Sequence, residues 1–196
     1  MKNFDEFEFT ESGKEKVKEI ISFYPSGRQQ SAVIPLLDLA QNESEGWLPM
    51  AAIEHVADLL GMARIRVLEV ASFYSMFNLE PVGKYFVQLC RTTPCWLRGS
   101  ESLKETAEDI TGCKLGETSS DGLFTLIEVE CLGACCNAPM VQINNDYYED
   151  LTPESFRKVL EALKRGEKPP PGSVVGRKGS EPVNGGLSLN ADIGSC

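Results

Sequence analysis

Histidine is almost missing from this sequence: His55 is the only one in 196 residues. That removes histidine-rich zinc sites and any nucleophile–base pair that needs a second imidazole. His55 itself lies in a helical stretch and reads as structural. No apolar run approaches the length that crosses a bilayer. Positive charge is also short. Nineteen Lys and Arg stand against 29 Asp and Glu, a net charge of −10, which disfavours nucleic acid and anionic membrane surfaces as partners. No Gly-x-Gly-x-x-Gly follows a strand, so there is no dinucleotide fingerprint. No Cys-x-x-Cys occurs, which argues against a catalytic dithiol. The start, Met1 to Glu8, is acidic. It lacks both the apolar core of a secretory signal and the arginine-rich, acid-poor character of a mitochondrial presequence. The expectation is a cytoplasmic chain, or a mature one already processed.

What the chain does have is cysteine, seven residues of it. Four fall in two short loops, Cys90-Arg-Thr-Thr-Pro-Cys95 and Cys131-Leu-Gly-Ala-Cys135. The chain around them reads in two styles. Apolar residues at helical spacing predict four short helices, 11–24, 29–42, 48–60 and 63–77. Thr10 caps the first, with Val17, Ile20, Ile21 and Tyr24 on one face. The second carries Val33, Leu36, Leu37 and Ala40, and the third Ile53, Val56 and Leu60 up to Gly61. The fourth carries Ile65, Leu68, Ala71, Phe73 and Met76. The aromatic set Phe73, Tyr74 and Phe77 reads as bundle core or partner contact, and Glu43 and Glu45 as solvated surface. Four amphipathic helices in a row suggest a small bundle over residues 1–80.

From Lys84 the pattern changes. Lys84 to Leu89 alternates like a strand and runs into Cys90. Ser100 is a candidate cap for a helix with Leu103, Ala107 and Ile110, closed by Gly112. Phe124 to Glu130 is a second strand, running into Cys131. Met140 to Ile143 is a third, Asn144-Asn145-Asp146 a hairpin signal, and Tyr147-Tyr148 a fourth. Thr152-Pro153 opens a helix with Phe156, Val159, Leu160 and Leu163 buried, closed by Lys164-Arg165-Gly166. The order β-α-β-β-β-α over 81–166 is that of a small thioredoxin-like domain. Residues 167–196, with Pro169-Pro170-Pro171-Gly172 and Gly185-Gly186, have no periodicity and form no core of their own. The fold class is therefore α+β: an N-terminal helical bundle, a thioredoxin-like domain and an extended tail.

Both cysteine loops follow strands. Strand ends lying side by side would bring four thiolates to one sheet edge, where they would hold a metal centre. Four cysteines suit a structural zinc ion or an iron–sulfur cluster, where two irons are naturally held by two cysteine pairs. Two disulfides would need a secretion route that the sequence does not show. The Cys-x4-Cys and Cys-x3-Cys pairs stand a whole supersecondary unit apart, unlike plant-type ferredoxins. On chemistry alone the cluster is favoured and zinc stays open.

The residues around these loops go further. Cys90-Arg-Thr-Thr-Pro-Cys95 is followed by Phe124-Thr-Leu-Ile-Glu-Val-Glu-Cys131-Leu-Gly-Ala-Cys135-Cys136-Asn-Ala-Pro-Met140. Together they resemble the thioredoxin-like 2Fe–2S family of respiratory complex I chains, the flavoprotein 2 type. The similarity extends to Ala32-Val-Ile-Pro-Leu-Leu-Asp-Leu-Ala-Gln41, Gly46-Trp-Leu-Pro49, Glu69-Val-Ala-Ser-Phe-Tyr74, Pro81-Val-Gly-Lys-Tyr85 and Val141-Gln-Ile-Asn144. The resemblance implies one 2Fe–2S cluster held by Cys90, Cys95, Cys131 and Cys135. It also implies electron exchange with FMN on a larger flavoprotein that binds NADH, within the peripheral arm of NADH:quinone oxidoreductase. That arm lies on the cytoplasmic side of the bacterial inner membrane or the matrix side of the mitochondrial one. Related modules occur in NAD-reducing hydrogenases and NAD-dependent formate dehydrogenases, and a zinc-stabilised interaction domain is the alternative from another class. The tail is expected to wrap the flavoprotein.

Cys136 departs from the family, where an aliphatic residue is expected. Alternation in an extended segment turns it away from the centre as a small core residue. Cys113 and Cys196 read as plain thiols. A four-thiolate cluster is an anion of about −2, or about −3 when reduced. Gly133 and Ala134 let backbone N–H groups approach the sulfurs, and Arg91 and Arg98 are candidates to add positive charge. Pro139, just before a strand, is a candidate cis proline.

Overall fold

The computed structural model describes residues 6–181. The first residues of the acidic start, Gly185-Gly186 and Cys196 lie outside that range. The chain divides into two compact units, one up to Val82 and one from Gly83 onward.

The first unit is helical: α1 (Glu11–Ser22), α2 (Val33–Glu43), α3 (Met50–Leu60) and α4 (Arg64–Phe73). Thr10 caps α1 as expected, its side chain accepting from the Gly13 N–H at 3.0 Å. The core is built from Leu36, Leu37, Ala40, Ile53, Val56 and their neighbours, all fully or nearly fully buried. Four expectations change or sharpen. The helix expected over 29–42 is split into a 3-10 turn, Gln29–Ala32, and α2. Pro35 has no N–H to donate and is tolerated only in a first turn, so α2 starts just before it. The fourth helix stops at Phe73 and buries Val67 and Ala71, while Ile65 and Phe73 are exposed. Its apolar residues run nearly all the way round, so periodicity cannot choose a face. Of the aromatic set, only Phe77 is core. Glu43 is not merely solvated: its carboxylate accepts from the Thr10 N–H at 2.9 Å and the Thr10 hydroxyl at 2.8 Å, tying α2 to the start of α1. His55 packs edge-on to Phe7 and Phe9, a structural role.

The second unit carries a five-stranded sheet. Its strands are β1 (Tyr85–Cys90), β2 (Phe124–Val129), β3 (Val141–Ile143), β4 (Asp146–Glu149) and β5 (Gly172–Ser173), in the order β2-β1-β3-β4-β5. Between β1 and β2 the chain makes α5 (Thr93–Leu97) and α6 (Ser100–Thr111), and α7 (Pro153–Lys164) follows β4. β1 and β2 are parallel, as a helical crossover requires, and the β1–β3 and β3–β4 pairs are antiparallel. The β3–β4 turn holds Asn144 at φ 52°, a conformation asparagine tolerates. The Asn144 side chain accepts from the Phe86 N–H at 2.8 Å, which pins the hairpin to β1.

Leu89, Leu103, Phe124, Leu126, Phe156 and Leu160 are fully buried and form this unit's core. The Thr152 capping box and Pro153 open α7 where expected. Ser100 does not cap α6: Gly99 holds that position, and Ser100 is the first helical residue, its hydroxyl buried without a partner. The stretch after 167 is expected to lack structure, yet Gly172-Ser173 pair in parallel with Tyr148-Glu149. Two residues are too few to show a period.

Candidate metal centre

The geometry begins with the parallel pair. Cys90, the last residue of β1, is level with Val129, the last of β2, so both cysteine loops leave one edge of the sheet. β3 runs the other way and starts at that same edge, with Val141 opposite Leu89. This brings in Ala138-Pro139-Met140, with the Ala138–Pro139 bond cis as the sequence suggested. The five-residue helix α5, which the sequence did not reveal, carries Cys95 back under the edge. Cys90, Cys95, Ala138 and Met140 form a small buried cluster with Leu132, Ala134 and Tyr147 packed against it.

The four sulfurs come in two unlike pairs. Cys90 and Cys95 are buried, and Cys131 and Cys135 are exposed. The Cys131 and Cys135 sulfurs are 3.3 Å apart, too far for a disulfide at about 2.05 Å. Two thiolates sharing one tetrahedral ion at about 2.3 Å lie about 3.8 Å apart, so this pair is within about half an ångström of a chelating spacing. Among the described residues, no three His, Cys, Asp or Glu side chains are arranged to hold a single ion. A two-iron centre needs only two thiolates on each iron.

Backbone N–H groups reach the sulfurs from the second loop. Gly133, at φ 84°, donates to Cys131 at 3.4 Å. The backbone at Leu132 favours the Cys90 thiolate and that at Met140 favours the Cys95 thiolate. Each pair holds one acidic and one reluctant thiol. Burial pushes Cys90 up, but the Thr92 hydroxyl, at 3.4 Å, and the N–H groups outweigh it and leave its pKa lowered. Cys95 is pushed up to about 12, by burial first and then by its neighbour Cys90. Cys131 is lowered, chiefly by the Gly133 N–H, and Cys135 is raised, chiefly by its hydrogen bond to Cys131. Metal binding at such a site releases protons from the reluctant members.

The other candidates are reassigned. Cys136 is exposed, not a core residue. Alternation would turn it inward in an extended segment, but Cys135–Asn137 is a 3-10 turn, where alternation does not apply. Cys113 is buried in the core and sits 3.4 Å from the Thr111 hydroxyl. The Arg91 guanidinium is paired with both Glu101 and Glu128, so its charge is already balanced. Arg98 is exposed, and its Nε reaches the Ala138 carbonyl at 3.4 Å. Sequence reasoning missed Thr92, whose signal was its place between two cysteines. It also missed Tyr147, whose hydroxyl donates to the Leu132 carbonyl at 2.9 Å; nothing local in the sequence marks that contact.

A parallel strand pair that delivers two cysteine pairs to one edge, with a backbone N–H donated to sulfur, defines a class. The family model of that class, Thioredoxin-like [2Fe-2S] ferredoxin, matches residues 17–164, and the chain belongs to this family. The donor set fits a 2Fe–2S cluster, the family's cofactor. More particularly, the chain is similar to the E subunit of NADH-quinone oxidoreductase from Rickettsia conorii. The two are 55% identical over 157 residues, covering 80% of this chain and 94% of that one. For the Rickettsia bellii protein of the same name the identity is 52% over 158 residues, covering 81% and 95%. It is also 47% identical over 183 residues to NADH dehydrogenase [ubiquinone] flavoprotein 2, mitochondrial, of Dictyostelium discoideum, covering 93% of this chain and 74% of that one. Among solved structures, an NAD+-reducing [NiFe]-hydrogenase in the air-oxidized state shares the fold at TM-score 0.58 and 18% identity. That match covers 66% of this chain and 23% of the hydrogenase chain.

Proposed function

We propose that this chain is the electron-transfer subunit of the NADH-oxidising part of NADH:quinone oxidoreductase. Cys90 and Cys95 hold one iron of a 2Fe–2S cluster, and Cys131 and Cys135 hold the other. The observation that carries this reading is the delivery of both cysteine pairs to one sheet edge by β1 and β2. When bound, the cluster supplies a reversible one-electron step. The residues of the chain set its conditions. The buried pair and its packed neighbours keep water from one side. The N–H groups of Leu132, Gly133 and Met140 offset negative charge on sulfur and favour the reduced state. The exposed pair leaves the other side open to a donor. Trp96 and Leu97, next to Cys95 on α5, are 60% and 70% exposed. They suit an apolar contact with the flavoprotein that carries FMN and the NADH site.

No helix among the described residues is long and apolar enough to cross a membrane. The reading is of a peripheral subunit in a multi-subunit arm, on the cytoplasmic side in a bacterium or the matrix side in a mitochondrion. NADH-quinone oxidoreductase relatives above 50% identity favour this over a hydrogenase or formate dehydrogenase module. The test is purification of the native complex with its subunits and metals identified together. Expected are a brown preparation, about two irons and two sulfides per chain, an EPR signal only after reduction, and an FMN protein as neighbour. A colourless, zinc-containing chain would refute the cluster, and co-purification with hydrogenase subunits alone would refute the assignment to NADH:quinone oxidoreductase.

A further inference from the structure

The exposed cysteine pair sits on a loop, Cys131 to Ala138, that has no strand or long helix of its own. Part of what holds it comes from far along the chain. After β5 the backbone crosses back over this loop. Arg177, with only 10% of its side chain exposed, pairs with Asp150, equally buried. The Arg177 Nε donates to one Asp150 oxygen at 2.8 Å, and one terminal nitrogen donates to the other. That same nitrogen donates at 2.7 Å to the carbonyl of Cys136, the residue after Cys135. The other terminal nitrogen reaches the Glu181 carbonyl at 3.0 Å. Beside it, the Asn137 side-chain amide donates to Glu149 at 2.7 Å and to the Gly179 carbonyl at 2.6 Å. Ser173 on β5 donates to Asp150 at 2.6 Å.

This arrangement is over-determined for a surface tail. A planar guanidinium whose fork is filled on one carboxylate has a fixed orientation, so its remaining N–H groups aim in set directions, one at the Glu181 carbonyl and one at the Cys136 carbonyl. The second of these is backbone of the 3-10 turn that presents Cys135. Asp150 holds φ 54°, an uncommon conformation for a residue other than glycine, and its own N–H donates to the Asn137 carbonyl at 2.8 Å. Asp150 therefore grips the turn from one side through its backbone and from the other through Arg177.

We propose that Arg177 and Asp150 form a latch that positions Cys135 for metal binding, so that the segment after β5 is part of the metal site's support. This rests on the reading of Cys131 and Cys135 as ligands. Arg177 is a positioning residue; it touches the backbone beside a ligand, not the reacting atoms. Lysine at 177 cannot span Asp150 and the Cys136 carbonyl in the same plane, so it restores the charge without the geometry.

The experiment uses the full chain purified with its iron and sulfide, comparing Arg177→Gln, Arg177→Lys and Asp150→Asn with wild type. The exposed pair Arg157–Asp109, on α7 and α6, serves as control through Arg157→Gln. Folding is checked by circular dichroism. The readouts are iron content, the rate of iron loss to a chelator, the EPR line shape after reduction and the midpoint potential. Both Arg177→Gln and Asp150→Asn are expected to speed iron loss about tenfold, the loss of one charge-assisted hydrogen bond, and to alter the line shape. Their potentials should move in opposite directions, down for Arg177→Gln, which leaves a negative charge, and up for Asp150→Asn. Arg177→Lys should restore the potential but not the rate, and Arg157→Gln should change nothing. Folded, iron-loaded Arg177→Gln and Asp150→Asn chains with wild-type loss rates and line shapes overturn the latch while leaving the ligand assignment intact. If Arg177→Gln does not fold, Asp150→Asn and Arg177→Lys decide the question alone. A wild-type chain without iron overturns the cluster reading and the latch with it, whereas an iron-loaded wild type confines any failure to the latch.

Discussion

Gly83 tests the delivery of the second cysteine pair by β2. It lies just before β1, and a Cβ added there would meet the Phe124 carbonyl carbon at 2.7 Å and the amide nitrogens of Phe124 and Thr125 at 3.0 Å. These are backbone atoms at the start of β2 and cannot turn aside. Ordinary contact begins near 3.4 Å, so Gly83→Ala must push the start of β2 away by roughly 0.7 Å, an overpacking cost of about 1–3 kcal/mol. The same displacement stretches the 2.7 Å bond from the Gly83 N–H to the Thr125 hydroxyl, about 1 kcal/mol more. At about 4 °C per kcal/mol for a chain of this size, the second unit should melt roughly 8–16 °C lower. Gly112, after α6, makes the contrast: φ is +73° and nothing lies within 4 Å. There the penalty for alanine is conformational, about 1 kcal/mol or roughly 4 °C. Asparagine separates the two causes. It tolerates a left-handed backbone, so Gly112→Asn should recover most of the loss, whereas Gly83→Asn should be at least as unstable as Gly83→Ala. Thermal unfolding of the four variants by circular dichroism reads this directly. A Gly83→Ala chain melting within about 2 °C of wild type, or the same alanine-to-asparagine trend at both positions, would refute the reasoning.

Other outcomes follow from the same geometry. Cys135→Ser should lower iron content sharply while Cys136→Ser loads as wild type; the reverse result, read by metal analysis, would make Cys136 the ligand. Phe156→Ala removes a fully buried ring from α7 and should cost about 3–5 kcal/mol, measurable as a lower urea midpoint with unchanged slope. Burial pushes the Asp150 carboxyl up, but hydrogen bonds from Arg177 and Ser173 outweigh it and leave its pKa below the ordinary 3.8. The unfolded chain therefore takes up this proton first as pH falls. The stabilisation is complete above pH 3.8 and is lost as pH drops through the lower folded value. Asp150→Asn should flatten the acid limb of a stability–pH curve, and an unchanged limb would count against it.

The cysteine edge was legible because its signals are local and repeated: two strand patterns, each ending in a cysteine, with a helical stretch between. The Thr152-Pro153 helix start was legible for the same reason, since cap and proline lie next to each other. What escaped was set by tertiary contact. The buried side of α4 is chosen by its neighbours, because Ile65, Val67, Leu68, Val70 and Phe73 offer apolar surface in every direction. Cys136 was misplaced because alternation was applied to a turn. Arg177 was invisible because its partners, Asp150 and the Cys136 carbonyl, lie far away in sequence, and a single arginine in a Pro/Gly-rich stretch announces nothing.

The parallel pairing of β1 and β2 also bears on chain entropy. Roughly 40 residues separate Cys90 from Cys131, and a centre bound by both cysteine pairs closes that stretch into a loop, much as a covalent cross-link does. By the cross-link relation, closing a loop of that length removes about 4 kcal/mol of freedom from the unfolded chain. α5, α6 and β2 lie inside the loop, while β3, β4 and α7 lie outside it. Metal content should therefore raise the stability of this unit through the crossover that the loop encloses, while the hairpin outside it gains only through the sheet that they share.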